Sequence, residues 1–290
     1  MTAERIAKIL VPTDFSREAR FALSGAAQLA QKQNAEVLVV HVVDHSAGFM
    51  FTGNPVDKLD PASETGFTES WEQLRDQAET RLKALTAQAD FQHIKMRSKV
   101  IWGNPYHGIA RDALQEDADL VVMGSKGASG MEEVLVGSNA ERMIRNSQCP
   151  VIILKDEPQF DQIKRIALMS DLEKGEDQLL PRLAKLKNAL GAALHIARVN
   201  TPHNFISDKK AHEKLSQFID GHLHSGDFHF HHFNDYYQHE GVENFAGQID
   251  AGIIAMGTHG RKGMAHFLLG SLAEQIVNEA TRPVWTMRIR

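Results

Sequence analysis

Short apolar runs alternate with stretches of helical spacing along the whole chain. Ile6 to Val11 is almost continuously apolar; Arg17 to Gln31 then sets Ala19, Ala22, Leu23, Ala26, Ala27 and Ala30 on one helical face, with Ser16 or Asp14 placed to cap its first turn. Val37 to Val43 is a second apolar run. Strands buried on both faces read this way, and a β-α-β opening of this kind predicts a parallel sheet with a right-handed crossover. Residues 45 to 66 have no clean period and read as a long loop. A helix follows from about Thr68 to Ala89, with Trp71, Leu74, Ala78, Leu82 and Leu85 on one face. Ser98 to Ile101 reads as a third strand, Gly103-Asn104-Pro105 opens a helix through about Glu116, and Asp119 to Met123 is a fourth strand. A helix over 138–147 and a strand from Val151 to Leu154 complete a five-stranded doubly wound unit.

Asp156 to Phe160 reads as a polar linker, after which the plan repeats. Strands are expected at Ile163 to Met169, Ala193 to Val199, Phe228 to Phe233, Ile253 to Met256 and from Pro283, with a helix through about Leu190 and a shorter, looser middle. The repeat is also visible residue by residue. Gly124, Gly127, Gly137 and Ser138 recur as Gly257, Gly260, Gly270 and Ser271, 133 positions on, and Met123 to Val151 agrees with Met256 to Val284 at 12 of 29 positions without a gap. Such self-similarity marks an internal duplication. Asp14 and Asp171 stand 157 positions apart, so the second copy has lost 24 residues in its middle. The expected architecture is therefore two tandem Rossmann-like α/β domains, 1–157 and 158–290, each a five-stranded, mostly parallel sheet with helices on both faces.

Composition narrows the function classes. A formal charge of −5 over 290 residues supplies no basic field for a phosphate backbone, so nucleic acid is not an expected partner. The single cysteine, Cys149, excludes an intrachain disulfide framework and reads as an apolar packing residue. No apolar stretch approaches the roughly 18 residues of a membrane span, and Met1 to Lys8 lacks the pattern of a secretory signal, so the expectation is a cytoplasmic protein without membrane attachment.

The chemistry centres on the glycines. A strand, then Gly-x-x-Gly, nine residues and Gly-Ser at a helix start form a plausible oxyanion cradle: glycines admit close backbone approach, the Ser138 hydroxyl can donate, and the first-turn amides carry the positive end of the helix dipole. There is no Walker Gly-Lys-Ser/Thr, and no Gly-x-Gly-x-x-Gly follows the first strand. The same glycines are also explained by a tight strand-to-helix connection, and Asp14 and Asp171 by helix capping alone.

Ile9 to Ser16, His41-Val42 and Met123-Gly124-Ser125-Lys126-Gly127 through Gly137-Ser138 resemble the universal stress protein family, and the match covers both halves. The resemblance implies binding of ATP, with or without Mg2+. Carried over, Asp14 would contact the ribose and adenine region, Val42 would meet adenine through its backbone, Gly124 and Gly127 would let the loop pass close to ribose and phosphates, and Gly137, Ser138 and the amide of Asn139 would hold the phosphates. The second set is Asp171, Val199, Gly257, Gly260, Gly270, Ser271 and Leu272. It departs from the family at Tyr236, which stands where the first half has Gly103. In single-domain relatives the last strand mediates dimerisation, so the two halves are expected to pair through theirs as an intramolecular pseudo-dimer.

Eight of the 15 histidines fall between His203 and His239. His229 and His231 would share one strand face, with Phe228 and Phe230 on the other; this reads either as a solvated face or as a zinc pair supported by His222, His224 or Asp235. No Gly-x-Ser-x-Gly elbow and no dedicated catalytic base is visible, and Lys126 and His259 read as phosphate-side charges or hydrogen-bond partners. The expected function is an ATP-binding stress-response regulator acting on an unnamed protein partner. A slow ATPase or self-phosphorylating enzyme, and a nucleotide-free adaptor, are the alternatives.

Overall fold

The computed structural model describes residues 5–43, 63–127, 136–224, 226–259 and 272–289. The first half runs β1 (Lys8–Pro12), α1 (Arg17–Gln33), β2 (Glu36–Val43), α2 (Ser63–Thr86), β3 (Lys95–Trp102), α3 (Pro105–Gln115), β4 (Leu120–Gly124), α4 (Ser138–Asn146) and β5 (Val151–Leu154). The second runs β6 (Arg165–Met169), α5 (Leu179–Leu190), β7 (Ala193–Asn200), α6 (Asp208–Ile219), β8 (Phe228–Asn234), α7 (Gln238–Gln248), β9 (Ile253–His259), α8 (Leu272–Glu279) and β10 (Val284–Ile289).

All ten strands form one sheet in the order β3-β2-β1-β4-β5-β10-β9-β6-β7-β8. Within each half the described pairings are parallel, and the halves join through an antiparallel pairing of β5 with β10. Its register is Val151 to Thr286, Ile152 to Trp285 and Ile153 to Val284. Ile152 and Trp285 are equivalent in the duplication, so a pseudo-twofold axis passes between them. The last strands of the two halves, through which the halves were expected to pair, thus form the centre of the sheet. The real edges are β3 and β8, and β3 carries Lys95, Arg97 and Lys99 on alternate positions, the kind of charge that discourages further pairing.

Each sheet face carries one apolar layer spanning both halves. On one, Ile9, Val11, Ile152, Trp285 and Leu168 meet α1, α2, α5 and α6; on the other, Leu10, Val121, Val151, Val284 and Ile254 meet α3, α4, α7 and α8. Strands buried on both faces account for the unbroken apolar runs. On α2, Ala78, Leu82 and Leu85 face the core as the spacing predicts, while the side chain of Trp71 lies outside the described residues, as does most of the 45–66 loop.

Two segments differ from the sequence expectation. The looser middle of the second half contains α6, capped by Ser207, whose side chain accepts from the Lys210 amide; only Ala211, Leu215 and Phe218 are buried, too thin a stripe to stand out among charged neighbours. The linker is also anchored. Phe160 is fully buried against α1, Gln28 donates from Nε2 to the Pro158 carbonyl at 2.9 Å, and its Oε1 accepts the Phe160 amide at 2.9 Å. Gly25 makes room for this: a Cβ there would lie 2.8 Å from Pro158 and 2.9 Å from the Phe160 ring.

Trp285 is 1% exposed at the pseudo-twofold seam. Replacing it by Ala removes a buried aromatic shared by both halves and should cost about 3–5 kcal/mol. A matching fall in the urea midpoint is the check; an unchanged midpoint would show that the seam does not hold the sheet together.

Candidate functional site

The N-terminal site forms where β1 and β4 end beside the start of α4. Thr13 and Asp14 shape the first wall. The Thr13 Oγ1 accepts the Phe15 amide at 3.0 Å, Phe15 takes φ +65°, and Asp14 Oδ1 accepts the Ser16 amide at 3.0 Å. A left-handed phenylalanine is uncommon, and these short-range bonds hold the turn in place. Ser16 is the residue that caps α1, accepting the Ala19 amide at 3.2 Å, which leaves Asp14 as a turn-former facing the loop. His41 Nδ1 donates to the Thr13 carbonyl at 2.7 Å, so that nitrogen carries the proton. Its ring lies 4.6 Å from Phe15, over which Arg81 is placed at 4.0 Å; burial, with a smaller push from Arg81, lowers the His41 pKa.

The second wall is the glycine loop. Gly137 N donates to the Ser125 carbonyl at 2.7 Å, and Val136 N donates to Asn278 Oδ1 at 2.7 Å, so a residue of the opposite half helps fix the loop just before α4. Gly137 is the N-cap of α4 without a side-chain cap, so the first-turn amides of Ser138, Asn139 and Ala140 have no intrahelical acceptor. Glycine is needed for closeness here: a Cβ on Gly124 would lie 2.7 Å from the Glu18 Cβ, and one on Gly127 would lie 2.6 Å from Asp14 Oδ2.

These walls enclose a cavity of about 240 Å³. Asp14, Val42, Gly124, Gly127, Gly137, Ser138 and Asn139 all line it, so the structure brings together every residue of the first predicted set. Lys126 lines it too. Sequence reading missed Pro12, Ala19, Pro105 and Ile109, apolar positions whose exposure to the cavity no motif signals. Gly103, at φ +121°, and Asn104, whose side chain accepts the His107 amide at 3.2 Å, set the entry of α3.

The second set is built differently. Ser170 repeats the Thr13 turn, its Oγ accepting the Leu172 amide at 2.9 Å with Leu172 at φ +59°. Glu176, however, stands at the position of Ala19. Its buried carboxyl accepts the Ser170 hydroxyl, and burial, with Asp171 and Glu173 nearby, pushes its pKa up to about 7. Val199 is buried beside Gly241, and Leu272 packs partly buried against the core where the first half has Asn139. A Cβ on Gly257 would lie 2.2 Å from Ile289 rather than against helix backbone. Tyr236 is exposed, and α7 has no side-chain cap. Gly260, Gly270 and Ser271 lie outside the described residues, as does the side chain of His259.

The histidine face of β8 forms as the alternation predicts, joined by His195 of β7 directly opposite His229. His195 Nδ1 lies 3.1 Å from His231 Nε2, and burial, with the like charges of His229 and His231, drops the His195 pKa to about 4. Among the described residues, no group of three or more His, Cys, Asp or Glu is arranged to hold a metal ion, and no helix is long and apolar enough to cross a membrane.

The profile of the universal stress protein family matches residues 5–155 and 238–288. The chain belongs to this family. Among relatives, a universal stress protein of Methanocaldococcus jannaschii is 34% identical over 152 residues, covering 51% of this chain and 81% of its own length. A second from the same organism is 29% identical over 154 residues, covering 51% of this chain and 94% of its own length. The crystal structure of a universal stress protein from Archaeoglobus fulgidus aligns over 98% of this chain and 99% of its own at a TM-score of 0.66 and 22% identity, and so shares the fold across both halves. This universal stress protein therefore has the family's Rossmann-like α/β architecture with two copies of the unit.

Glu176 gives the second set a pH signature. Its folded pKa of about 7 exceeds its ordinary 4.5, so the stability of the protonated form is fully present below pH 4.5 and is lost as pH rises to about 7. Glu176→Gln removes that loss: the variant should match wild type near pH 4.5 and exceed it by about 2–3 kcal/mol at pH 8. Urea midpoints across that range check it, and a pH-independent difference would refute it.

Proposed function

We propose that the N-terminal cavity binds ATP and that the protein is a nucleotide-responsive regulator of a protein partner in the cytoplasm. The observation that carries this reading is the convergence on one cleft of an acidic turn residue, a strand-end backbone at Val42 and an uncapped helix N-terminus behind two close-approach glycines. Such a helix end favours phosphate oxyanions, with the Ser138 hydroxyl as an additional donor. Asp14 and the backbone at Val42 would face the nucleoside end, and the apolar side chains of Ile109 and Val40 would flank its base. Lys126 supplies a cation beside the phosphates, and Mg2+ would enter with the nucleotide. Asn278 links the loop to the second half, so occupancy and the relation between the halves are physically connected.

The second set would bind nucleotide less well, because a carboxyl at Glu176 replaces the small apolar Ala19. The units 1–157 and 158–290 would then be a working site and a diverged copy.

Gly127→Val puts a side chain where Asp14 Oδ2 stands and should abolish ATP binding at the first site while leaving a cooperative melt. Counting nucleotide released per chain from denatured wild type and variant, then titrating each with Mg-ATP, checks it. Affinity that survives the substitution in a folded protein would place the nucleotide elsewhere.

A further inference from the structure

The pseudo-twofold axis provides an internal control away from the nucleotide cavity. Glu243 on α7, Arg282 before β10 and Lys155 after β5 are equivalent, 133 positions apart, to Ala110 on α3, Cys149 before β5 and Arg288 on β10. In one copy the three form a charged group. Arg282 Nη1 lies 3.5 Å from Glu243 Oε2, Lys155 also draws the Glu243 carboxyl toward its charged form, and Lys155 Nζ donates to the Asn278 carbonyl at 2.6 Å. Burial is the larger influence on Glu243 and raises its pKa, while Arg282 and Lys155 oppose that rise.

In the other copy the acid is gone and one cation stays. Ala110 replaces the glutamate and Cys149 replaces the arginine, which opens a cavity of about 270 Å³ bounded by Tyr106, Ala110, Leu114, Asn146, Cys149 and Arg288. The Nε of Arg288 is buried there without a hydrogen bond, and among the described residues its guanidinium has no ion pair. A buried donor on a cation left unmatched is costly. Cys149 does not compensate as a thiolate, since burial pushes its pKa up to about 12 and its Sγ donates to the Ala118 carbonyl at 3.1 Å.

We infer that this cavity is a binding site for a small organic carboxylate, whose carboxyl group faces Arg288 as Glu243 faces Lys155 and Arg282 in the other copy. The planar guanidinium is suited to paired hydrogen bonds with a carboxylate. Tyr106, Ala110 and Leu114, the last 55% exposed at the rim, give the rest of the ligand an apolar bed. The volume lies at the small end for ligand sites, which fits a single-ring or short-chain acid. The cavity shares no residue with the nucleotide cleft.

The test is calorimetric titration of the full chain with benzoate and with octanoate, using benzamide and inorganic phosphate as controls. Saturable 1:1 binding of at least one acid is expected, with benzamide and phosphate roughly tenfold or more weaker. Arg288→Gln removes the cation, and Ala110→Glu installs the tethered carboxylate of the other copy; each should weaken the acid roughly tenfold or more without altering Mg-ATP binding. Absence of saturable binding by both acids in the millimolar range, equal binding of phosphate, or undiminished affinity in a folded Ala110→Glu protein would overturn the assignment. Ala110→Glu keeps the test decisive should Arg288→Gln fail to fold.

Discussion

The pairing of β5 with β10 is the constraint on which the rest of the molecule depends. Each half alone would end in a four-residue or six-residue strand, buried on both faces yet with one row of backbone groups unmatched. Antiparallel pairing satisfies those groups and merges two sheets into one. It also brings α4 against α8 and β9: Arg145 Nε donates to Glu274 of α8 at 2.7 Å, and Thr258 Oγ1 of β9 donates to the Ile144 carbonyl at 2.8 Å. The same juxtaposition lets Asn278 reach the glycine loop of the first half, where its Oδ1 accepts the Val136 amide. Site geometry is therefore a product of the seam as well as of the local motif.

Much of this was legible in the chain. Strands covered on both faces write themselves as unbroken apolar runs, and a duplicated glycine spacing fixes two equivalent units, so the two-domain, mostly parallel α/β plan was legible; the first set of site residues came from the resemblance to the universal stress protein family. What stayed hidden depends on three-dimensional register. Phe160 reads as part of a polar linker because its binding partners, Gln28 and Gly25, lie more than a hundred positions away. Helix α6 hides behind its charge. Glu176 is informative only once it is known to replace Ala19, and that equivalence sits in the region where the spacing between copies is 157 rather than 133.

The two copies have diverged in a consistent manner. The first keeps small residues around its cleft: Ala19, Gly124, Gly127 and Gly137. The second keeps Gly257, Gly260 and Gly270 but has Glu176 at the position of Ala19 and Leu272 at that of Asn139, while Tyr236, at the position of Gly103, is exposed. Polar side chains take over the turn that leads to α6: Arg198, equivalent to His41, is buried and donates to Asn200 Oδ1 at 3.0 Å and to the Asn204 carbonyl at 2.7 Å. An open cleft in one copy and a buried, hydrogen-bonded polar cluster around Arg198 in the other are two solutions for the same end of the same sheet.

The anchored linker bears on how the molecule avoids exchanging parts with its neighbours. A long, loose connection would let the second half of one molecule dock on the first half of another, since both present the same seam. Here the chain leaves β5, is fastened to α1 within six residues at Phe160, and starts β6 at Arg165. So short a tether holds the two halves at high effective concentration and in one orientation, which favours closure within a chain over swapped dimers. Fusion into one polypeptide also frees the halves from having to be identical, as a homodimer's subunits must be, and the unequal clefts are what that freedom permits.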